Sequence, residues 1–140
     1  MKNKSVDIPN WGKCQYSGKV NSGDQPHGYG TAVESDGWRY EGTYQDGSLV
    51  TGKQFRPDGF LRYEGEFKGG LSHGTGKQFR PDGFLEYEGE WKGGRIHGTG
   101  TAFHRNGSVL TGRYEKDELI DGTRTCPDGR VEKYVNGKAV

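Results

Sequence analysis

Cysteine is scarce in this sequence, long apolar runs are absent, and neither sign of charge dominates. The two cysteines, Cys14 and Cys126, sit near opposite ends of 140 residues. So few thiols do not read as a disulfide framework. The net charge is +1 with Lys and Arg interleaved among Asp and Glu, so no basic stripe exists to neutralise a nucleic-acid backbone. The same balance argues against electrostatic docking on anionic lipid. No apolar stretch approaches a membrane span, and Met1–Asp7 carries charge without the apolar run of a signal peptide. A cytoplasmic protein is the expectation.

Hydrophobic residues are only 29% and mean hydropathy is −1.01, values that usually accompany disorder. Two features oppose that reading. Aromatics reach 12%, and the 26 glycines are regularly spaced. Residues 52–67 (GKQFRPDGFLRYEGEF) and 76–91 (GKQFRPDGFLEYEGEW) differ only at Arg62/Glu86 and Phe67/Trp91. A Tyr-x-Gly triplet begins at Tyr16, Tyr40, Tyr63 and Tyr87, and Leu110-Thr111-Gly112 continues the series. Repetition at this scale is the signature of a repeat architecture.

Within a unit, Tyr63, Gly65 and Phe67 alternate with Glu64, Glu66 and Lys68. That alternation puts rings on one face of a strand and charges on the other. Gly between two rings leaves room for a neighbour to approach. Turn signals punctuate each unit twice. Pro57-Asp58-Gly59, Pro81-Asp82-Gly83, Asp36-Gly37, Asn106-Gly107 and Asp128-Gly129 mark one set; Asp46-Gly47, Gly69-Gly70 and Gly93-Gly94 mark the other. The expected fold is all-β: a single-layer, twisted antiparallel meander of stacked β-hairpins, elongated like a solenoid. Each two-strand unit advances the stack by about 10 Å. Residues 14–129 are read as about five tandem repeats, with 1–13 and 130–140 as caps. Ile8, Pro9 and Trp11 are the N-terminal capping candidates, and Val131–Val135 the C-terminal one. On such a stack Cys14 and Cys126 lie too far apart to bridge.

The segment Tyr87-Glu88-Gly89-Glu90-Trp91-Lys92-Gly93-Gly94-Arg95-Ile96-His97-Gly98-Thr99-Gly100 closely resembles the MORN repeat (membrane occupation and recognition nexus), and Tyr63–Gly76 matches almost as well. The first unit keeps His27-Gly28-Tyr29-Gly30; the second carries Leu49-Val50-Thr51-Gly52 instead, and the fifth is diverged. The resemblance implies a grooved, twisted sheet used for protein contacts, with phospholipid binding and antitoxin-like roles also attributed to the family.

The groove aromatics Tyr40, Tyr44, Tyr63, Phe67, Tyr87, Trp91 and Tyr114 are the candidate partner-binding residues, since aromatic faces rimmed with charge make favoured contacts. Within this set Phe67, Trp91, Tyr44 and Tyr114 stand out, because their position varies in size between copies. His27, His73 and His97 recur at one repeat position, but neighbouring copies lie about 10 Å apart, too far to share a metal. Glu64, Glu66, Glu88 and Glu90 alternate with Lys68 and Lys92, which reads as cross-strand ion pairing rather than acid–base chemistry. No cofactor, metal or catalytic set is expected. The expected function is a non-enzymatic protein–protein interaction scaffold holding a helix or extended segment. Peripheral phospholipid binding, toxin neutralisation and carbohydrate binding are the alternatives, and the exposed end strands allow an end-to-end homodimer.

Overall fold

The computed structural model describes residues 2–8 and 11–140; Pro9, one of the expected capping residues, lies outside them. The strands are β1 (Lys2–Ile8), β2 (Gly12–Val20), β3 (Pro26–Glu34), β4 (Arg39–Gln45), β5 (Ser48–Phe55), β6 (Leu61–Lys68), β7 (Leu71–Phe79), β8 (Leu85–Lys92), β9 (Arg95–Phe103), β10 (Val109–Glu115), β11 (Glu118–Thr125), β12 (Val131–Val135) and β13 (Lys138–Ala139). They form one antiparallel sheet of 13 strands in strict sequence order. The expected open meander is therefore the fold. The segments read as caps contribute β1, β12 and β13.

Its two edges carry two kinds of turn. Along one edge, the side-chain oxygens of Asp36, Asp58, Asp82, Asn106 and Asp128 accept the N–H two residues on, from Trp38, Phe60, Phe84, Ser108 and Arg130. Along the other edge two-residue turns sit in the left-handed region, with φ of +60° and +83° at Gly69-Gly70 and +58° and +83° at Gly93-Gly94. Asp46, Lys116, Asp117 and Asn136 adopt the same region without being glycine. This geometry matches the twist of the flanking strands.

Between the edges runs a row of glycines. Gly18, Gly30, Gly42, Gly52, Gly65, Gly76, Gly89, Gly100, Gly112 and Gly122 pair directly across ten successive strands, β2 to β11. The row stops at Lys2 on one side and Tyr134 on the other. Glycine is required here by contact. A Cβ on Gly76 would fall on the ring and hydroxyl of Tyr63, and one on Gly100 would fall on Tyr87. Gly30 stands in the same relation to Tyr16.

These three tyrosines lie down over the row, and each hydroxyl donates to a backbone carbonyl three residues on. The acceptors are Lys19 O at 2.5 Å, Glu66 O at 2.7 Å and Glu90 O at 3.0 Å. Each acceptor residue faces the His-Gly-x segment of the next strand across a register shift. In β6–β7, for example, Gly65 pairs Gly76 while Phe67 pairs Ser72, so Glu66 alone opposes His73-Gly74-Thr75. The second and fifth units lack His-Gly and have smaller bulges, after Thr43 and Arg113. There the hydroxyls of Tyr44 and Tyr114 donate backward instead, to Tyr40 O and Leu110 O.

One unit hands its core to the next through edge-to-face rings. Tyr16 meets Tyr44 at 5.3 Å, Tyr63 meets Trp91 at 5.2 Å, and Tyr87 meets Tyr114 at 5.5 Å. Trp11 fills the gap between the second and third units. It stacks on Tyr40 at 3.6 Å, meets Phe67 edge-on at 6.4 Å, and its indole N–H donates to Gly70 O at 2.8 Å. The expected N-terminal cap thus works as an internal wedge, while Ile8 is buried beside it in the same cluster.

Replacing Gly76 by Ala should lower unfolding free energy by about 1–3 kcal/mol, the usual cost of overpacking. Urea denaturation checks this, and an unchanged midpoint would show that the Tyr63 ring is not held against the row.

Candidate functional site

The tyrosine face is the interior. Tyr63 and Tyr87 are 0% exposed, Tyr44 1%, Tyr40 and Tyr114 4%, Phe67 7% and Trp91 8%. All seven residues expected to line a partner groove therefore pack against each other or Trp11 in one cluster. The residues expected to line the groove are therefore found packed inside, and none of their rings is presented at the surface of this structure.

Burial also holds the phenols neutral. It raises Tyr40, Tyr44, Tyr63 and Tyr87 well above the ordinary tyrosine value and Tyr114 to about 12. Cys14 is pushed to about 11, by burial first and the Glu34 carboxylate second. Both cysteines are free and buried.

The opposite face is divided into lanes. Beside the glycine row lies a line of directly paired residues, Glu41, Lys53, Glu64, Lys77 and Glu88, whose charge alternates from strand to strand. Lys53 and Glu64 approach to 3.6 Å. The expected partnering of the glutamates with Lys68 and Lys92 is corrected here. Glu64 and Glu88 face Lys53 and Lys77 in register, whereas Glu66 and Glu90 accept the N–H of Thr75 and Thr99, each at 2.6 Å. Those two carboxylates therefore stitch the His-Gly bulges. A depression of about 450 Å³ opens over the row, lined by Glu64, Thr75, Lys77, Glu88 and three glycines.

Next to the charges, on the Asp-Gly turn edge, lies an apolar lane. Phe55 pairs Leu61, Phe79 pairs Leu85 and Phe103 pairs Val109. None of these belongs to the buried core cluster. The lane holds two equivalent depressions. One, of about 310 Å³, is lined by Phe60, Leu61, Phe79 and Pro81. The other, of about 530 Å³, is lined by Phe84, Leu85, Phe103, His104 and Val109. Phe60 is 51% exposed, and the Arg105 guanidinium lies 5.2 Å from the Phe84 ring centre.

Sequence reasoning passed over this lane although a signal was present. Phe55 and Phe79 stand two residues after Lys53 and Lys77, so strand alternation already puts them on the charged face. Leu61 and Leu85 carry the parity of Tyr63 and Tyr87, and only register shifts at Gln54/Phe55 and Gln78/Phe79 move them over.

The recurring histidines lie within the first three residues of β3, β7 and β9, at the other edge. His27 Nδ1 accepts the Asp46 N–H at 3.2 Å. His97 joins Lys92, Arg95 and Lys116 around a depression of about 400 Å³. Among the described residues no group of three His, Cys, Asp or Glu side chains is placed to hold a metal ion.

The MORN repeat profile matches residues 22–39, 63–84 and 87–109. Those stretches belong to the units carrying His-Gly and its tyrosine, while the unmatched second and fifth units have the smaller bulges. No curated protein sequence matches the chain.

The raised tyrosine and thiol values have a sign in pH. Because folded values exceed the unfolded tyrosine value of about 10, the stability they contribute is intact below that pH and is lost as pH rises through the folded values. Urea midpoints should hold to about pH 9 and fall above about pH 10, with the absorbance of the six buried tyrosinates rising together with unfolding. Tyrosinate absorbance beyond what Tyr29 and Tyr134 supply, appearing before loss of β-sheet signal, would contradict the buried row.

Proposed function

Because this chain is a MORN-repeat protein, we propose that it is a non-enzymatic scaffold that holds a partner protein against the exposed face of its sheet. MORN repeats are an interaction module for proteins and membrane lipids. The observation that carries the protein reading is the apolar lane, where Phe60 stands 51% exposed and Phe55, Leu61, Phe79, Leu85 and Phe103 lie outside the core cluster. An exposed apolar band rimmed by charge marks a contact surface more often than a stability feature.

Lipid contact is a second reading, favoured by the cationic depression of Lys92, Arg95, His97 and Lys116. One pair of variants separates the two. Immobilised wild-type chain should retain a defined protein set that the folded double variant Phe60→Asp/Phe84→Asp loses at least tenfold. Retention unchanged by that variant, together with anionic-vesicle sedimentation abolished by Lys92→Glu/Arg95→Glu, would overturn the protein reading in favour of lipid.

A further inference from the structure

Two spacings on the exposed face say what shape of partner it accepts. Equivalent apolar depressions, at Phe60/Phe79 and Phe84/Phe103, are one repeat apart, which is two strands or about 9.6 Å. The adjoining row changes sign at every strand, from Glu41 to Lys53, Glu64, Lys77 and Glu88, hence every 4.8 Å or so. A partner must therefore present apolar groups on one side at roughly 10 Å, and opposite charges in alternation along its flank at about half that distance.

An extended strand fails this requirement. Three residues cover about 10 Å, but residues i and i+3 point to opposite faces. A polyproline II segment repeats every 9.3 Å or so and reaches both depressions, yet it offers one residue per edge per turn and meets only one sign of the row. An α-helix satisfies both spacings. Residues i and i+7 are about 10.5 Å apart on one face, and i+3 or i+4 falls midway.

Resting on the scaffold reading above, we propose that the occupant is an amphipathic α-helix of a partner protein, lying across the strands. Its apolar seam enters the depressions at Phe60/Phe79 and Phe84/Phe103. On the flank it presents basic residues to Glu64 and Glu88 and acidic ones to Lys53 and Lys77. The helix supplies affinity through the apolar seam and register through the charges. Charges exposed in this way contribute little energy singly but penalise a like-charged flank along its whole length.

Synthetic helical peptides of about 21 residues, roughly 31 Å long, test this by fluorescence anisotropy against the full chain. All carry Leu at heptad core positions. Their flanks are alternating Lys and Glu, all Lys, or all Glu, and a Pro-rich peptide of equal length is the fourth probe. The alternating peptide should bind at least tenfold tighter than the other three and be lost with Phe60→Asp/Phe84→Asp. Changing Lys53→Glu and Lys77→Glu turns the row wholly acidic, and the preference should switch to the all-Lys peptide. That gain of binding cannot arise from misfolding. Three results would overturn the inference: no helical probe binding, the Pro-rich peptide binding best, or the lysine variant keeping the original preference. A wild-type dimer in light scattering that Phe60→Asp/Phe84→Asp dissolves would overturn it too, by putting a second copy in the lane. If the peptides fail while capture still depends on Phe60 and Phe84, the scaffold reading stands and the helix falls.

Discussion

A tyrosine laid flat across a pair of facing glycines is the contact on which this protein depends. A single sheet has no second layer to cover its apolar side, so the side chains must cover it themselves. Any Cβ at Gly30, Gly76 or Gly100 would occupy the volume of the Tyr16, Tyr63 or Tyr87 ring. Without that Cβ the ring drops onto the backbone, and its hydroxyl finds a carbonyl within 3.0 Å. The polar tip is satisfied and the ring buried by the same move. Burying a phenol without a partner would cost about 1–3 kcal/mol per site.

The bulges follow from that contact. The tyrosine hydroxyl donates to the residue facing His-Gly-x, and in two units that residue's carboxylate closes the loop by accepting a backbone N–H. Neighbouring units then interlock through ring edges, with Trp11 inserted where the second unit lacks a direct ring contact to the third. Because the aromatic mass is committed to this interior, the other face is the one left open. There the apolar lane and the alternating charges form a patterned surface with a pitch set by strand spacing.

Much of this was legible in the sequence. Alternation in Tyr63–Lys68 and the doublets Asp58-Gly59 and Gly69-Gly70 implied the strands and both turn edges, because those signals are local. The burial of the rings was not legible, for a non-local reason. Sequence periodicity assigns a face but not its exposure, and here the face closes on itself through Tyr–Gly and Trp11 contacts between distant residues. Trp11 to Gly70 spans 59 residues, and no local pattern announces it. The place of Leu61 and Leu85 in the apolar lane was hidden by register shifts of a single residue. Such shifts move a side chain to the opposite face.

The claim that the tyrosines are interior while the opposite face is open can be tested directly by nitrating the native protein and mapping the modified peptides. Tyr29, 62% exposed, should be modified, while Tyr16, Tyr44, Tyr63 and Tyr87, none above 1%, should be protected until the chain is unfolded. Nitration of Tyr63 or Tyr87 in the folded protein at a rate comparable with Tyr29 would contradict the account.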